Sequence, residues 1–451
     1  MDYKKLTLPY KDEMLDNLSK FVSINSAYNE SSKDKQNPFG KGVTDALNFI
    51  ASLASKDGFN VINYDNMVVE ISIGEGDKNI TIMAHADVVP AGTGWDQDPF
   101  EMTNRNGVLM GRGVADDKGP LLSSYYALKA LKDNNLLGNY KVRFLVGGNE
   151  ESGSLCMEHY FKTLKMPQPT YGFSPDSNYP LIYGEKGMVN FEVKTKINVP
   201  QIISLQAGVA FNSVIERADA ILEKQDGLRE YFEKITDKHE IVDLGDLLKV
   251  SFYGTAAHGS IPWEGENAGI NLLNALANFY KDENLLKAVN CLADSRGRGL
   301  NAYFENKEMG TCSLNVGLIN IVDGELSIVC NYRFINETNK NEASELIKNA
   351  LAPLNMNIMS TCDLLYFPVE STLVSTLLEC YQQETGDLVT PPLTTGGGTY
   401  AKEADNVVAF GTEYPGWDAH MHSPGECIKV DHLVESMAIY AHAIIALGNK
   451  L

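Results

Sequence analysis

The chain has no Cys-x-x-Cys pair. Its seven cysteines (Cys156, Cys291, Cys312, Cys330, Cys362, Cys380, Cys427) are scattered and odd in number, the pattern of reduced, packed thiols and not of a disulfide framework. Positive charge is also short. With 38 Lys and Arg against 59 Asp and Glu, the net charge of −21 argues against nucleic acid as a partner, because a phosphate backbone is held by clustered Lys and Arg. No uninterrupted apolar run approaches the ~20 residues that cross a bilayer. The opening Met1-Asp-Tyr-Lys-Lys-Leu6 leads into a polar amphipathic segment where a signal peptide would have its apolar core. A cytoplasmic protein without membrane partners is the expectation. Internal repeats and low-complexity tracts are absent as well.

What is present is an ordinary globular composition, 44% hydrophobic and 22% charged over 451 residues, enough for roughly two or three domains. Apolar residues at helical spacing predict helices over 10–24 and 43–55, separated by a polar loop with Pro38 and Gly40. Residues 68–73 and 80–85 read as strands. Asp117-Lys-Gly-Pro120 opens a helix with its proline in the first turn, and 141–146 and 171–176 are the next strands. Strands alternating with helices predict an α/β layer structure with a mostly parallel sheet. In such sheets ligands gather at the carboxyl ends of the strands.

After Gly187 the pattern changes. Strands are expected at 189–196 and 249–254, helices at 214–224, 268–280 and 342–352, and a strand near 356–361. A hairpin of 312–321 and 325–334 turns at Val322-Asp-Gly324. From Glu370 the α/β pattern of the N-terminal part returns, with a helix to Glu384, a strand at 407–410 and a closing helix over 430–447. The expected organisation is one domain, 1–187 and 369–451, interrupted by an inserted α+β module at 188–368.

Met83-Ala-His85-Ala-Asp87-Val-Val-Pro90 closes the second strand, and alternation sends His85 and Asp87 to one side of its end. An imidazole beside a carboxylate there is a metal ligand with a partner, a general base with an orienting group, or a packed pair. Further clusters bracket strand ends at Asp116/Asp117, Glu150/Glu151 and Asp176, and His420/His422 lies near the C-terminus. Several carboxylates converging on one cleft repel each other unless cations are bound, so a divalent metal site is the simplest arrangement that holds them. Histidines with carboxylates suit zinc, manganese or cobalt better than calcium or magnesium.

In order, His85-Ala-Asp87, Gly111-Arg-Gly-Val-Ala-Asp116-Asp117-Lys118-Gly119, Glu150-Glu151, Asp176 and His422 resemble a known family. This is the family of dinuclear zinc metallopeptidases and deacylases that includes carnosinase, acetylornithine deacetylase and carboxypeptidase G. The resemblance spans nearly the whole chain and implies an α/β/α zinc-peptidase catalytic domain, its sheet mixed but mostly parallel, interrupted by a lid. It implies two divalent ions, zinc or manganese with cobalt also compatible. His85 and Asp176 would bind one, Glu151 and His422 the other, and Asp116 would bridge. Asp87 would accept the other N–H of His85, and Glu150 would be the general base toward a water shared by the metals. Asp116 is chosen over Asp117 because relatives carry Met or Asn at the second position. His422 is chosen over His420 because His422-Ser-Pro-Gly-Glu426 matches the family's late His-x-x-x-Glu.

Gly254-Thr-Ala-Ala-His258-Gly259 is similar to the family's lid motif, whose histidine helps stabilise the oxyanion. Asn212 and Arg333 fall where the dipeptidase branch has polar substrate contacts, and an Arg fork matches a terminal carboxylate. The other readings are a helix N-cap for Asn212 and an exposed strand arginine for Arg333. Gly396-Gly397-Gly398-Thr-Tyr400 lacks the lysine and strand context of a phosphate loop. It resembles instead the family's Gly-rich segment near the substrate terminus, with Gly397 and Gly398 at the close approach. Trp95-Asp-Gln-Asp-Pro-Phe100 and Phe173-Ser-Pro-Asp-Ser177 are most similar to bacterial dipeptidases of the PepV type. That branch implies a monomer with an enlarged, mobile lid that hydrolyses dipeptides with free N-termini, β-alanyl ones included. The alternatives are an N-acyl-amino-acid deacylase on the same scaffold and a non-catalytic peptide-binding relative, against which an intact Glu150 counts.

Overall fold

The strand Asn79–His85 is buried at every position, as its apolar run requires of a strand covered on both faces. The computed structural model, which describes residues 1–451, pairs it parallel with Lys141–Gly147 on one side and Tyr171–Ser174 on the other. Val407–Ala409 adds a fourth parallel strand beside Tyr171–Ser174. Val68–Ile73 and Asn60–Tyr64 extend the sheet antiparallel, which makes it mixed. The register sets His85 opposite Gly147, so His85-Ala-Asp87 and Asn149-Glu-Glu151 leave the sheet at the same end.

Helices Lys118–Asp133 and Val430–Gly448 pack on each other and on the strand Asn79–His85. Leu121, Leu122, Tyr125 and Leu128 of the first and Leu433, Met437 and Ile444 of the second are buried. By length and composition Val430–Gly448 is apolar enough to cross a membrane, but most of its apolar stretch is buried inside the fold. Asp431, His432 and Glu435 interrupt its apolar pattern in the sequence. It is a core helix whose apolar surface is taken up by its neighbours.

A second unit holds an eight-stranded antiparallel sheet. Its order is His239–Leu244, Leu247–Tyr253, Arg217–Glu223, Ile202–Ala207, Ser313–Val322, Glu325–Phe334, Gly187–Lys196 and Asn355–Cys362. The central hairpin turns on Asp323 and Gly324 at φ +53° and +73°, the left-handed pair that a two-residue turn needs. Helices Ala268–Tyr280, Glu283–Leu292 and Lys340–Leu351 bury Leu272, Leu276, Leu285 and Ile347 in one core with Phe191, Leu222, Val250 and Ile319 of the sheet.

One expected element is wrong: the helix over 214–224 is the strand Arg217–Glu223. Ala218, Ala220 and Leu222 are buried while Arg217 and Glu223 are exposed. That period of two, satisfied between two neighbouring strands, overrides the helix propensity of the alanines. The chain divides as Met1–Gly184, Phe367–Leu393 and Gly398–Leu451 in one unit and Glu185–Tyr366 with Thr394–Gly397 in the other. The changeovers fall after Gly184 and Tyr366 where the sequence suggested 187 and 368, and a short Gly-rich stretch belongs to the second unit.

Candidate metal centre

His85 ends its strand fully buried. Its Nε2 lies 3.0 Å from Asp116 Oδ1 and 3.5 Å from Asp176 Oδ2. The other oxygen of Asp116, Oδ2, lies 2.8 Å from His422 Nε2, and Glu151 Oε2 lies 3.3 Å from the same nitrogen. Two groups able to hold a metal result, His85–Asp116–Asp176 and Asp116–Glu151–His422, each with its ligand atoms within 4.8 Å of one another. Asp116 belongs to both and turns one oxygen to each. His420 lies apart, its Nδ1 3.5 Å from Asp418 Oδ2.

The sheet supplies most of these positions. His85 ends one of three adjacent parallel strands and Glu151 and Asp176 follow the other two, Asp116 precedes the helix Lys118–Asp133, and His422 sits on a loop with a left-handed backbone at φ +60°. The crowding shows in the protonation equilibria. Burial and then Asp116 push the Glu151 carboxyl up to about 7. Burial and then Asp176 push Glu150 well above the usual range, with His85 opposing. Burial would raise Asp116 too, but hydrogen bonds with His422 and His85 hold it far below its ordinary value. Hydrogen bonds to Asp116 and Glu151 lift His422 to about 11. Glu151 Oε1 is buried without any partner. Two imidazoles and three carboxylates, one of them with an orphaned oxygen, are a donor set that fits a pair of divalent cations.

Asp87 stands beside His85 as expected and has a second task. His85 Nδ1 is 2.9 Å from the main-chain oxygen of Asp87 and 3.5 Å from its carboxylate oxygen Oδ1. The carboxylate accepts the main-chain N–H groups of Glu150 and Glu151, both at 3.1 Å. It therefore sets the turn that carries the glutamate pair. Glu150 belongs to neither metal group.

Three residues that the sequence showed without assigning them a part in the site also contribute. Asp117 Oδ2 accepts the N–H of His85 at 3.0 Å. Lys118, fully buried and lowered by burial to about 7, donates to the carbonyls of Phe21 and Ile24 at 3.0 and 2.7 Å, anchoring the loop after the helix Lys11–Val22. Tyr400 meets the His85 ring edge-on at 6.1 Å and places its hydroxyl 2.9 Å from Cys156 Sγ. Its phenol fills the space that a Cβ on Gly147 would take, and that glycine was the one available signal.

In the second unit the loops of Asn212 and His258 are joined. The Gly259 N–H donates to Asn212 O at 2.7 Å and the Val214 N–H to Ala257 O at 2.9 Å. With a strand where a helix was expected, Asn212 caps nothing. His258 Nδ1 is 2.6 Å from Ser260 Oγ. Arg333 is buried, its Nε donating to Asn331 Oδ1 at 2.8 Å and its Nη1 to Gly396 O at 2.5 Å, so it is no exposed strand arginine. The Gly397 N–H donates to Thr395 Oγ1 at 3.1 Å, and Gly398 begins the return to the first unit.

A mixed α/β unit with two metal-competent groups sharing one aspartate has the architecture of a dinuclear metallohydrolase. The chain belongs to peptidase family M20/M25/M40, whose model matches residues 81–446. Among curated relatives, the provisionally named dipeptidase YtjP of Bacillus subtilis (strain 168) is 33% identical over 100% of both chains. SH1171 of Staphylococcus haemolyticus (strain JCSC1435), also provisionally named a dipeptidase, is 31% identical over 99% of each. Among solved structures, the M20 family metallo-carboxypeptidase Sso-CP2 of Sulfolobus solfataricus superposes with a TM-score of 0.61 at 18% identity, covering 97% of this chain and 100% of that one. Human carnosine dipeptidase 1 gives 0.58 at 16% identity over 99% of each. The Bacillus subtilis YXEP protein, described as a dinuclear metal-binding M20 peptidase, gives 0.55 at 10% identity over 98% of this chain and 99% of that one.

Proposed function

We propose that the protein is a metal-dependent dipeptidase that cleaves dipeptides with free N-termini, β-alanyl dipeptides among them, using zinc or manganese. The observation that carries this reading is the pair of ligand groups sharing Asp116, with Glu150, next in the chain to Glu151 and tied to Asp87 by its N–H, outside both. His85, Asp116 and Asp176 would hold one ion, and Asp116, Glu151 and His422 the other. Bound there, divalent ions polarise a scissile carbonyl and lower the pKa of water. Glu150 takes the proton of the attacking water and returns it to the leaving amine, its main chain fixed by Asp87. His258 stabilises the developing oxyanion, and Asn212 adds a polar substrate contact. The guanidinium of Arg333, oriented by Asn331 and Gly396, pairs with the free carboxylate of the dipeptide, and Gly397 and Gly398 allow close backbone approach. The relatives with dipeptidase names support the substrate class.

The test is a substrate panel. Metal-stripped protein is assayed with and without restored zinc or manganese on free-amine dipeptides, including β-alanyl-histidine, and on acetyl- and succinyl-amino acids. Metal-dependent turnover of the dipeptides is expected. Turnover confined to the acyl substrates would make the protein a deacylase, and no turnover at all would make it a non-catalytic relative.

A further inference from the structure

Glu426, four residues past His422, is fully buried, and so is Arg112 of Gly111-Arg-Gly113. They form an ion pair in which Arg112 Nη1 donates to Glu426 Oε2 at 2.7 Å. The other carboxylate oxygen, Oε1, accepts three main-chain N–H groups, from Gly113 at 3.0 Å, Ala115 at 2.9 Å and Asp116 at 3.1 Å. The main-chain oxygen of Glu426 takes a fourth, from Gly111 at 3.1 Å. Immediately after it, Cys427–Lys429 pairs antiparallel with Val108–Met110. A single carboxylate thus gathers the whole loop that presents Asp116 and ties it to the segment that presents His422.

The arrangement is not the one that stability alone would select. A buried ion pair seldom adds net stability over apolar side chains of similar volume. Here Nε and Nη2 of Arg112 are buried without hydrogen-bond partners, the guanidinium lying 5.3 Å from the Trp95 ring centre. What the pair does supply is an anion for three converging N–H groups, which fixes the backbone at Asp116. The two metal groups differ in their need for such a frame. His85 ends, and Asp176 follows, adjacent strands paired in parallel. His422 sits on a loop, where nothing in its own secondary structure sets its place.

We propose that the Arg112–Glu426 pair is a positioning device for the second metal group, holding Asp116 and His422 in one frame. The Asp116–Glu151–His422 metal then depends on it, and the His85–Asp116–Asp176 metal does so far less. The inference rests on the ligand assignment above.

The experiment uses Glu426→Gln and the double variant Arg112→Met/Glu426→Gln, which keeps a carbonyl oxygen for the three N–H groups and leaves no uncompensated buried charge. His422→Ala serves as the comparison. Zinc content is measured after dialysis against graded chelator, and melting temperature is measured on metal-free and zinc-loaded protein. Both Glu426 variants are expected to hold one zinc with little loss of affinity, since His85 and Asp176 stay on the sheet, and to hold the second roughly 10–100-fold more weakly, the usual effect of losing a group that orients a metal ligand. Their zinc-induced rise in melting temperature should shrink, and His422→Ala should lose the same zinc. If the single variant does not fold, the double variant decides. Two zinc ions retained at wild-type affinity, with equal loss of melting temperature in both forms, would overturn the inference and leave the pair merely structural. Should His422→Ala keep both ions, the ligand assignment falls and the inference with it.

Discussion

Glu150 and Glu151 are adjacent in the chain and part company in the structure, one outside the ligand groups and the other within one of them. Replacing Glu150 with Gln is expected to lower kcat by ~10²–10⁴-fold, the usual weight of a positioned acid–base, with metal content unchanged. Parallel turnover and metal analysis on one preparation checks this, and retained turnover would end the role. His432 offers a separate test of protonation, outside both ligand groups. Its ring stacks on Tyr414 at 4.3 Å and meets Trp417 edge-on, and burial, with Lys429 nearby, lowers it from 6.5 to about 4. The folded protein holds this histidine neutral, so unfolding takes up a proton between those values. Its contribution is complete above about 6.5 and is lost as pH falls toward about 4. His432→Phe should flatten part of the acid-side decline in urea midpoint, and an unchanged decline would contradict the assignment. At this scale residue types were legible and contacts were not. The carboxylate of Asp87 was visible in the sequence, but that it would accept two N–H groups from the distant Glu150 and Glu151 was not.

The loop between the strands Ile202–Ala207 and Arg217–Glu223 carries Asn212, and Asn315 on the strand Ser313–Val322 clamps it. Asn315 is buried and its Nδ2 donates to the carbonyls of Phe211 and Ser213 at 2.9 and 3.0 Å. Asn315→Leu removes the donor for both, at a cost of about 1–3 kcal/mol. Faster amide exchange over 209–214 and a raised KM with unchanged metal content are expected, and exchange at the wild-type rate would contradict the clamp. Most elements were readable from period and turn chemistry, the hairpin at Asp323-Gly324 most plainly. The strand Arg217–Glu223 was not, because its buried positions are two alanines and a leucine, residues that fit helix and strand alike until neighbouring strands claim their hydrogen bonds.

For the molecule as a whole the metal ions and pH should act together. Without metal, Glu151 titrates near 7 in the folded chain against an ordinary value of 4.5, and His422 near 11 against 6.5. A raised pKa contributes stability that is full below the unfolded value and lost as pH climbs through the folded one, so both groups weaken the metal-free protein toward alkaline pH. Metal binding requires deprotonated ligands and tightens along the same axis. The rise in melting temperature on adding zinc is therefore expected to be larger at about pH 8 than at about pH 5.5, and equal rises would contradict the account. By itself the sequence determined the family, the mixed α/β catalytic unit with its inserted module, and the residue types of the site, because those reside in periodicity and in motifs a few residues long. Only the tertiary structure decided that Asp116 turns one oxygen to each ligand group and that Asp87 holds the Glu150–Glu151 turn. It also decided that Glu426 gathers the N–H groups of the Asp116 loop, since each of these joins residues that lie far apart in the chain and meet only when the sheet and its closing helix have formed. His85 and Asp87, side by side at a strand end, kept their place in the site and gained partners: the ring lies beside both the carbonyl and the carboxylate of Asp87, and that carboxylate also holds the glutamates.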